Sequence, residues 1–168
     1  MLLEILRNVP AWVWLIFAAL LALGLLSTRP RRLPTAVVLV LPAAMTALSA
    51  FTVMSAFGAR GDGPTAWAVG MVAALVFNQF VLGSPAGVRY GQGRFELPGS
   101  WLPLALMMTI FCARFAIGLT AAVSPATAAA PRFIDAISAV LGFCSGMFLS
   151  RALVALRARS AAGAVPAG

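Results

Sequence analysis

Five apolar runs, each close to the length of a membrane-spanning helix, cover most of this chain. They are residues 11–27, 34–57, 64–82, 101–123 and 133–154. A helix needs about 20 apolar residues to cross the hydrocarbon core of a bilayer. Hydrophobic residues make up 62% of the 168 and charged residues only 10%, more apolar surface than one small core can hide from water. The runs predict an all-α polytopic membrane bundle of about five transmembrane helices, forming one domain over residues 1–156.

The arginines predict how the bundle is oriented. All 12 basic residues are arginines, and alternating helices place most of them on one side. The richer side has Arg29, Arg31, Arg32, Arg89, Arg94, Arg151, Arg157 and Arg159; the other has Arg7, Arg60 and Arg132. By the positive-inside rule the N-terminus lies outside and the C-terminus in the cytoplasm. Since this charge occupies short breaks between apolar runs, the lipid bilayer is the expected partner and nucleic acid is not.

The longest break, residues 83–100, has the pattern of a short hairpin. Val88, Tyr90, Phe95 and Leu97 alternate with Arg89, Arg94 and Glu96 around Gly91-Gln92-Gly93. This alternation predicts two strands on the cytoplasmic side, between the third and fourth helices. An isolated hairpin is marginal in water, so it must rest on the bundle or on the lipid surface. Residues 157–168 are predicted to form a disordered cytoplasmic tail.

Four stretches carry a resemblance to known proteins. They are Pro10-Ala11-Trp12-Val13-Trp14, Gly93-Arg94-Phe95 through Pro98-Gly99-Ser100-Trp101-Leu102-Pro103-Leu104, Arg114-Phe115-Ala116-Ile117-Gly118, and Gly142-Phe143-Cys144-Ser145-Gly146 with Arg151. Together they resemble a family of small bacterial inner-membrane proteins known only as a domain of unknown function. The resemblance implies a location in the bacterial inner membrane and implies no activity.

The residue types present exclude several kinds of active site. Without histidine or lysine there is no Ser–His or Cys–His dyad, no histidine-ligated metal and no lysine Schiff base. The four acidic residues are scattered along the chain: Glu4, Asp62, Glu96 and Asp135. Cys112 and Cys144 lie at matching depths, and packing is favoured over a redox pair because no nearby charge would activate a thiol. The sequence therefore predicts no enzyme, no metal and no cofactor.

Arg114 is anomalous because it falls near the middle of the fourth predicted helix. A central arginine costs about 2.5–3.5 kcal/mol on insertion scales, so it is expected to face the bundle or a water-filled cavity. Asp135 is the nearest plausible counter-ion, and the hydroxyls of Ser49, Thr52 and Ser138 are alternatives at matching depth. A structural bridge between helices is favoured, and an anion or substrate site remains open.

Small residues recur every four positions along the fifth helix: Ser138, Gly142, Gly146 and Ser150. This spacing lets two helix backbones approach closely. Another helix of the chain is the favoured partner of this face, with a second copy of the protein as the alternative. For the chain as a whole, the partners considered besides lipid are a homo-oligomer and another membrane protein. Asn78 and Gln79, one turn from the end of the third helix, are interpreted as hydrogen-bonding or solvated residues.

The sequence favours a non-enzymatic scaffold or accessory subunit over a small transporter or channel with a polar path at Arg114.

Overall fold

The computed structural model describes residues 10–58, 62–82, 89–91 and 94–163, and it is mostly helical. The long helices are α1 Ala11–Leu26, α2 Thr35–Phe57, α3 Gly63–Phe77, α4 Leu102–Val123 and α6 Pro131–Gly163, with a single turn α5 Pro125–Ala128. A π-helical turn, Asn78–Leu82, continues α3. Each long helix begins within two residues of the start of a predicted apolar run.

Three helices are long and apolar enough to cross a membrane. They lie at Thr35–Phe57, Leu102–Val123 and Pro131–Arg157, with mean hydropathies of 2.1, 1.9 and 1.8. α1 is apolar but has 16 residues, and α3 has 15 before its π-helical turn. By length and composition, the described part of the chain therefore contains three candidate spans rather than the five that the sequence predicts.

The last helix is longer than predicted. It continues to Gly163, nine residues beyond the predicted end at 154 and well into the segment predicted to be disordered. Alanine, leucine and arginine dominate residues 151–159, and all three are strong helix formers. Helix propensity therefore outweighs the Ala, Gly, Ser and Pro composition after Arg159 that suggested a disordered tail. Residues 164–168, the remainder of that predicted tail, lie outside the described residues.

α6 forms the centre of the bundle. It packs against α2, α3 and α4, while α1 packs against α4. The largest fully buried side chains include Leu141 and Met147 of α6 and Val53 of α2. The core therefore lies around one helix, on which the other elements are arranged.

A three-stranded antiparallel sheet lies at one end of the bundle, in the order β1-β3-β2. Its strands are β1 Arg31–Pro34, β2 Arg89–Gly91 and β3 Arg94–Leu97. The pairing of β2 with β3, which sets Tyr90 opposite Phe95, confirms the predicted hairpin. β1 was not predicted, because two arginines and a proline give no strand pattern. Pro34 is tolerated there because β1 is an edge strand.

Phe95 attaches this sheet to the bundle. Its side chain is fully buried against Val38 of α2 and Ala155 of α6, and its ring centroid lies 4.8 Å from that of Tyr90. The hairpin thus rests on the bundle, as its marginal stability in isolation requires. Because the sheet joins the two connections α1–α2 and α3–α4, the arginines of both connections lie at the same end.

The bundle has apolar residues outside and hydroxyls inside. Phe80, Leu15 and Val69 are 82%, 71% and 68% exposed, and many other large apolar side chains face outward. The buried polar residues are mostly serine and threonine: Ser27, Ser49, Thr52, Ser138, Ser145 and Ser150. Monomeric soluble proteins rarely expose contiguous apolar surface on this scale.

Candidate functional site

Arg114 lies on the exposed side of α4, well away from both helix ends. It follows Leu102 by 12 residues and precedes Val123 by nine, which corresponds to about 18 Å and about 14 Å along the helix. Its side chain is exposed and makes no hydrogen bond or ion pair with any described residue. Arg114 thus carries a charge to the outer surface of an otherwise apolar helix.

Asp135, the predicted counter-ion, lies near the start of α6 and is not paired with Arg114. Its Oδ1 atom is buried and has no hydrogen-bond partner among the described residues, and the same is true of Ser138 Oγ one turn later. Ser138 Oγ would lie 3.4 Å from a Cβ placed on Gly63. The structure therefore places Ser138 beside the start of α3, with Asp135 one turn before it on α6, and pairs neither of them with Arg114.

Ser49 and Thr52 face the interior from α2. Trp67 Nε1 donates a hydrogen bond to Ser49 Oγ at 3.0 Å, and Ser49 Oγ donates to the carbonyl oxygen of Leu141 at 3.3 Å. Thr52 Oγ1 donates to the carbonyl oxygen of Leu48 at 2.7 Å. Ser49 therefore joins three helices rather than lining a path to Arg114. The sequence missed Trp67 as a donor because an indole near a helix end suggests an interfacial position.

The small-residue face of α6 packs against α3 of the same chain. Ser138, Gly142, Gly146 and Ser150 are all buried. A Cβ on Gly142 would collide with the carbonyl oxygen of Trp67, and one on Gly146 would lie 2.5 Å from the carbonyl oxygen of Met71. From the α3 side of the same contact, a Cβ on Gly70 would collide with the carbonyl oxygen of Ala139 in α6. The two backbones meet at distances that only glycine permits.

A polar cavity of about 170 Å³ opens where α3 ends, between its π-helical turn and α6. Its lining residues are Leu75, Asn78, Gln79, Ser150, Leu153, Val154 and Arg157. The side chains of Asn78, Gln79 and Arg157 form no hydrogen bond with the described residues, whereas Ser150 Oγ donates to the carbonyl oxygen of Met147 at 2.8 Å. The free groups are mainly N–H donors and no carboxylate lines the cavity, so its chemistry suits an oxyanion. π-Helical turns are frequent at functional sites.

A second, apolar groove lies between α4 and α6. It has a volume of about 420 Å³ and is lined by Met108, Thr109, Cys112, Ala113, Ala116, Ile137 and Val140. Arg114 lines neither this groove nor the polar cavity. Cys112 borders the groove, Cys144 is buried, and both thiols are free. Within the described ranges, no three His, Cys, Asp or Glu side chains are grouped to hold a metal ion.

Comparison with known proteins adds a family but no activity. Neither the curated proteins nor the solved structures contain a match to this chain. The model of one family of unknown function, DUF6622, matches residues 1–167, which is almost the full length. The chain therefore belongs to the DUF6622 family.

Proposed function

We propose that this protein is an integral membrane protein with five transmembrane helices that acts as a non-enzymatic scaffold or accessory subunit. The observation that carries the proposal is the inverted polarity of the bundle, with large apolar side chains outside and hydroxyls inside. Lipid tails cover an apolar exterior at no cost, whereas water does not. α1 and α3 join the three longer spans because both are apolar, and the π-helical turn extends α3 to 20 residues.

The proposed orientation rests on the arginines at the sheet end. Arg29, Arg32, Arg94, Arg151 and Arg157 belong to elements at or next to that end. The excess of positive charge supports a cytoplasmic location for the sheet and for the C-terminus. The family resemblance supports the bacterial inner membrane as the location.

The surroundings of the polar residues favour a function that depends on contacts with another protein over transport through the bundle. Neither cavity reaches Arg114, and the hydroxyl of Ser49 is engaged in contacts between helices. A conduction path needs polar groups that line a continuous water-filled space. The outward faces of the helices, rather than an internal path, are therefore where we place the function.

Membrane integration and topology test the first part of the proposal. The chain should stay in the membrane fraction after alkaline carbonate extraction. A phosphatase that is active only outside the cytoplasm should be inactive when fused after Gly168 and active when inserted after Gly58. The reverse pattern of activity, or release by carbonate, would contradict the proposal.

The accessory role predicts a larger assembly. In mild detergent, native gels of membranes should show this 17.4 kDa chain in a complex that contains a second protein. Migration solely as the free chain, from membranes in which it is expressed at its native level, would argue against an accessory subunit.

The polar cavity supports a second candidate function, the binding of a phosphate or similar oxyanion at the sheet end. Inorganic phosphate should raise the melting temperature of the purified chain saturably, and Arg157→Gln should abolish that shift. Arg159→Gln is the matched control because this exposed arginine does not line the cavity. Equal shifts in the two variants would assign the effect to general charge screening.

A further inference from the structure

We infer that the polar cavity between the end of α3 and α6 holds the phosphodiester of an anionic phospholipid, whose acyl chains lie outside the cavity against the bundle. This rests on the proposed bilayer location and on the proposed oxyanion site, and it names the molecule that supplies the oxyanion. Free phosphate shares the chemistry of such a headgroup but has no apolar part to occupy the surface beside the cavity.

The cavity lies at the depth of the lipid headgroups. α3 and its π-helical turn together comprise 20 residues, or about 30 Å, which matches the hydrocarbon core of a bilayer. Asn78 and Gln79, which line the cavity, belong to the last turn of this span. The phosphates of the adjoining leaflet therefore lie level with these two amides.

α3 and α6 reach that depth together because they run in the same direction. Gly142 of α6 meets Trp67 of α3, and Gly146 meets Met71, four residues further along both helices. A ligand between the two helices thus meets the same progression of depth on either side.

The lining of the cavity changes from apolar to polar toward the sheet end. On α3, Leu75 is followed after one turn by Asn78 and Gln79, and on α6, Leu153 is followed after one turn by Arg157. A phospholipid has the same order, because its acyl chains lie deeper in the bilayer than its phosphate. An ion from the cytoplasm would have no use for the apolar inner part.

The cavity accommodates a phosphate group but not a whole lipid. Its volume of about 170 Å³ is that of about five or six water molecules. At its inner part, Ser150 already donates its hydroxyl to the carbonyl oxygen of Met147. Leu153 lines the cavity and is 41% exposed, and Phe80, next to Gln79 in the chain, is 82% exposed. The cavity therefore adjoins outer apolar surface on which acyl chains can lie.

The charge of the lining favours a headgroup that is negative overall. Arg157 is the one charged side chain among the described lining residues, and its guanidinium can bind two phosphate oxygens. Residues 83–88 and 164–168, which follow the π-helical turn and α6 outside the described ranges, contain no acidic side chain. An ammonium headgroup would add a second positive charge beside Arg157, whereas the hydroxyls of a glycerol headgroup can donate to the amide oxygens of Asn78 and Gln79. Basic pockets between transmembrane helices are known to bind anionic lipid headgroups.

Native mass spectrometry of the full chain, purified in detergent and freed of lipid, tests the site. We expect one copy of phosphatidylglycerol to bind, and phosphatidylcholine with the same acyl chains to bind about tenfold more weakly. Arg157→Gln should weaken phosphatidylglycerol binding about tenfold, and Arg157→Lys should weaken it less, because the ammonium keeps the charge but loses the planar fork. Arg159→Gln is the matched control, since Arg159 is also exposed but does not line the cavity.

Two soluble competitors distinguish a lipid from a free anion. Inorganic phosphate and glycerol phosphate share the oxyanion but lack acyl chains, so they should displace phosphatidylglycerol only at concentrations about a hundredfold above that of the lipid. Displacement by either of them at a concentration similar to that of the lipid would make the free anion the ligand and overturn the inference.

Two further results would also overturn it: equal binding of phosphatidylglycerol and phosphatidylcholine, and equal losses in Arg157→Gln and Arg159→Gln. If a variant does not fold, the comparison of the two lipids on the wild type still decides the matter. Release of the chain by carbonate would refute the proposed function. An integrated chain that phosphate stabilises, but that shows no preference for phosphatidylglycerol, would refute this inference alone.

Discussion

α6 and α1 show how differently two apolar helices of one chain can be packed. Every residue of α6 from Cys144 to Phe148 is buried, and the helix contacts α2, α3 and α4. In α1, Gly24 is the sole buried residue, and its main contact is α4. Yet α1 has the more apolar sequence of the two. Hydrophobicity therefore does not decide which helix occupies the centre.

Small residues account for the difference. In a bilayer, helices gain little by hiding apolar side chains from equally apolar lipid, so close backbone contact becomes important. α6 offers Gly142 and Gly146, which meet the carbonyl groups of α3, while Gly70 of α3 approaches α6. α1 has a single glycine, Gly24, which packs against the side chain and Cα of Leu104. Close contact between backbones thus defines the centre, and a helix with fewer small residues stays at the periphery.

Gly142→Leu should have the largest effect, because the new side chain collides with backbone that cannot rotate away. We expect the free energy of unfolding in detergent to fall by about 3 kcal/mol. Gly118→Leu is the matched control, since a Cβ there meets nothing within 4 Å. Equal stability of Gly142→Leu and wild type would show that α3 and α6 do not meet as described.

Gly24→Leu makes the same change at the periphery and should cost less, about 1 kcal/mol. The nearest atom that the new side chain meets is the flexible tip of Leu104, and α1 has room to shift on α4. The same denaturation experiment measures it. A loss as large as that of Gly142→Leu would mean that α1 is held as rigidly as α6.

Ser49→Ala should destabilise the bundle by about 1 kcal/mol, because Trp67 Nε1 loses its acceptor and the carbonyl oxygen of Leu141 loses a donor. Ser55→Ala on the same helix is the control, since Ser55 is exposed and bonds only locally to Thr52. Identical stabilities of the two variants would exclude a role for this interhelical contact.

Leu15→Ala should have the smallest effect, below about 0.5 kcal/mol, because Leu15 is 71% exposed on the outer side of α1. Detergent or lipid replaces the contacts that its side chain loses. A clear loss of stability in the purified chain would show that this side of α1 is covered by protein.

Local patterns predicted the elements well and their partners poorly. The apolar runs located the five long helices, and the alternation around Gly91 located the hairpin. β1 was not predicted, because it pairs with β3, which is distant in sequence. The end of α6 at Gly163 was not predicted, because the composition of the last residues was given more weight than their helix propensity.

The candidate site residues divide in the same way. The recurrence of small residues every four positions on α6 identified a close-packing face, but only the structure shows that α3 is its partner. Arg114 was recognised from its depth alone, while its expected partners are engaged elsewhere or unpaired. Ser138 lies beside the start of α3, Ser49 bonds to Trp67 and Leu141, and Asp135 Oδ1 is buried without a partner among the described residues. Which side of α4 it occupies could not be read from the sequence.

The sequence by itself determined where the five long helices begin, because apolarity and turn residues act within one segment. Only the tertiary structure decided which sides of those helices meet, and hence that Arg114 faces outward while Ser49 faces inward. In a soluble protein the alternation of polar and apolar residues encodes that choice, since one side must meet water. In these helices almost every side is apolar, so the choice falls to backbone contacts and hydrogen bonds between segments distant in sequence.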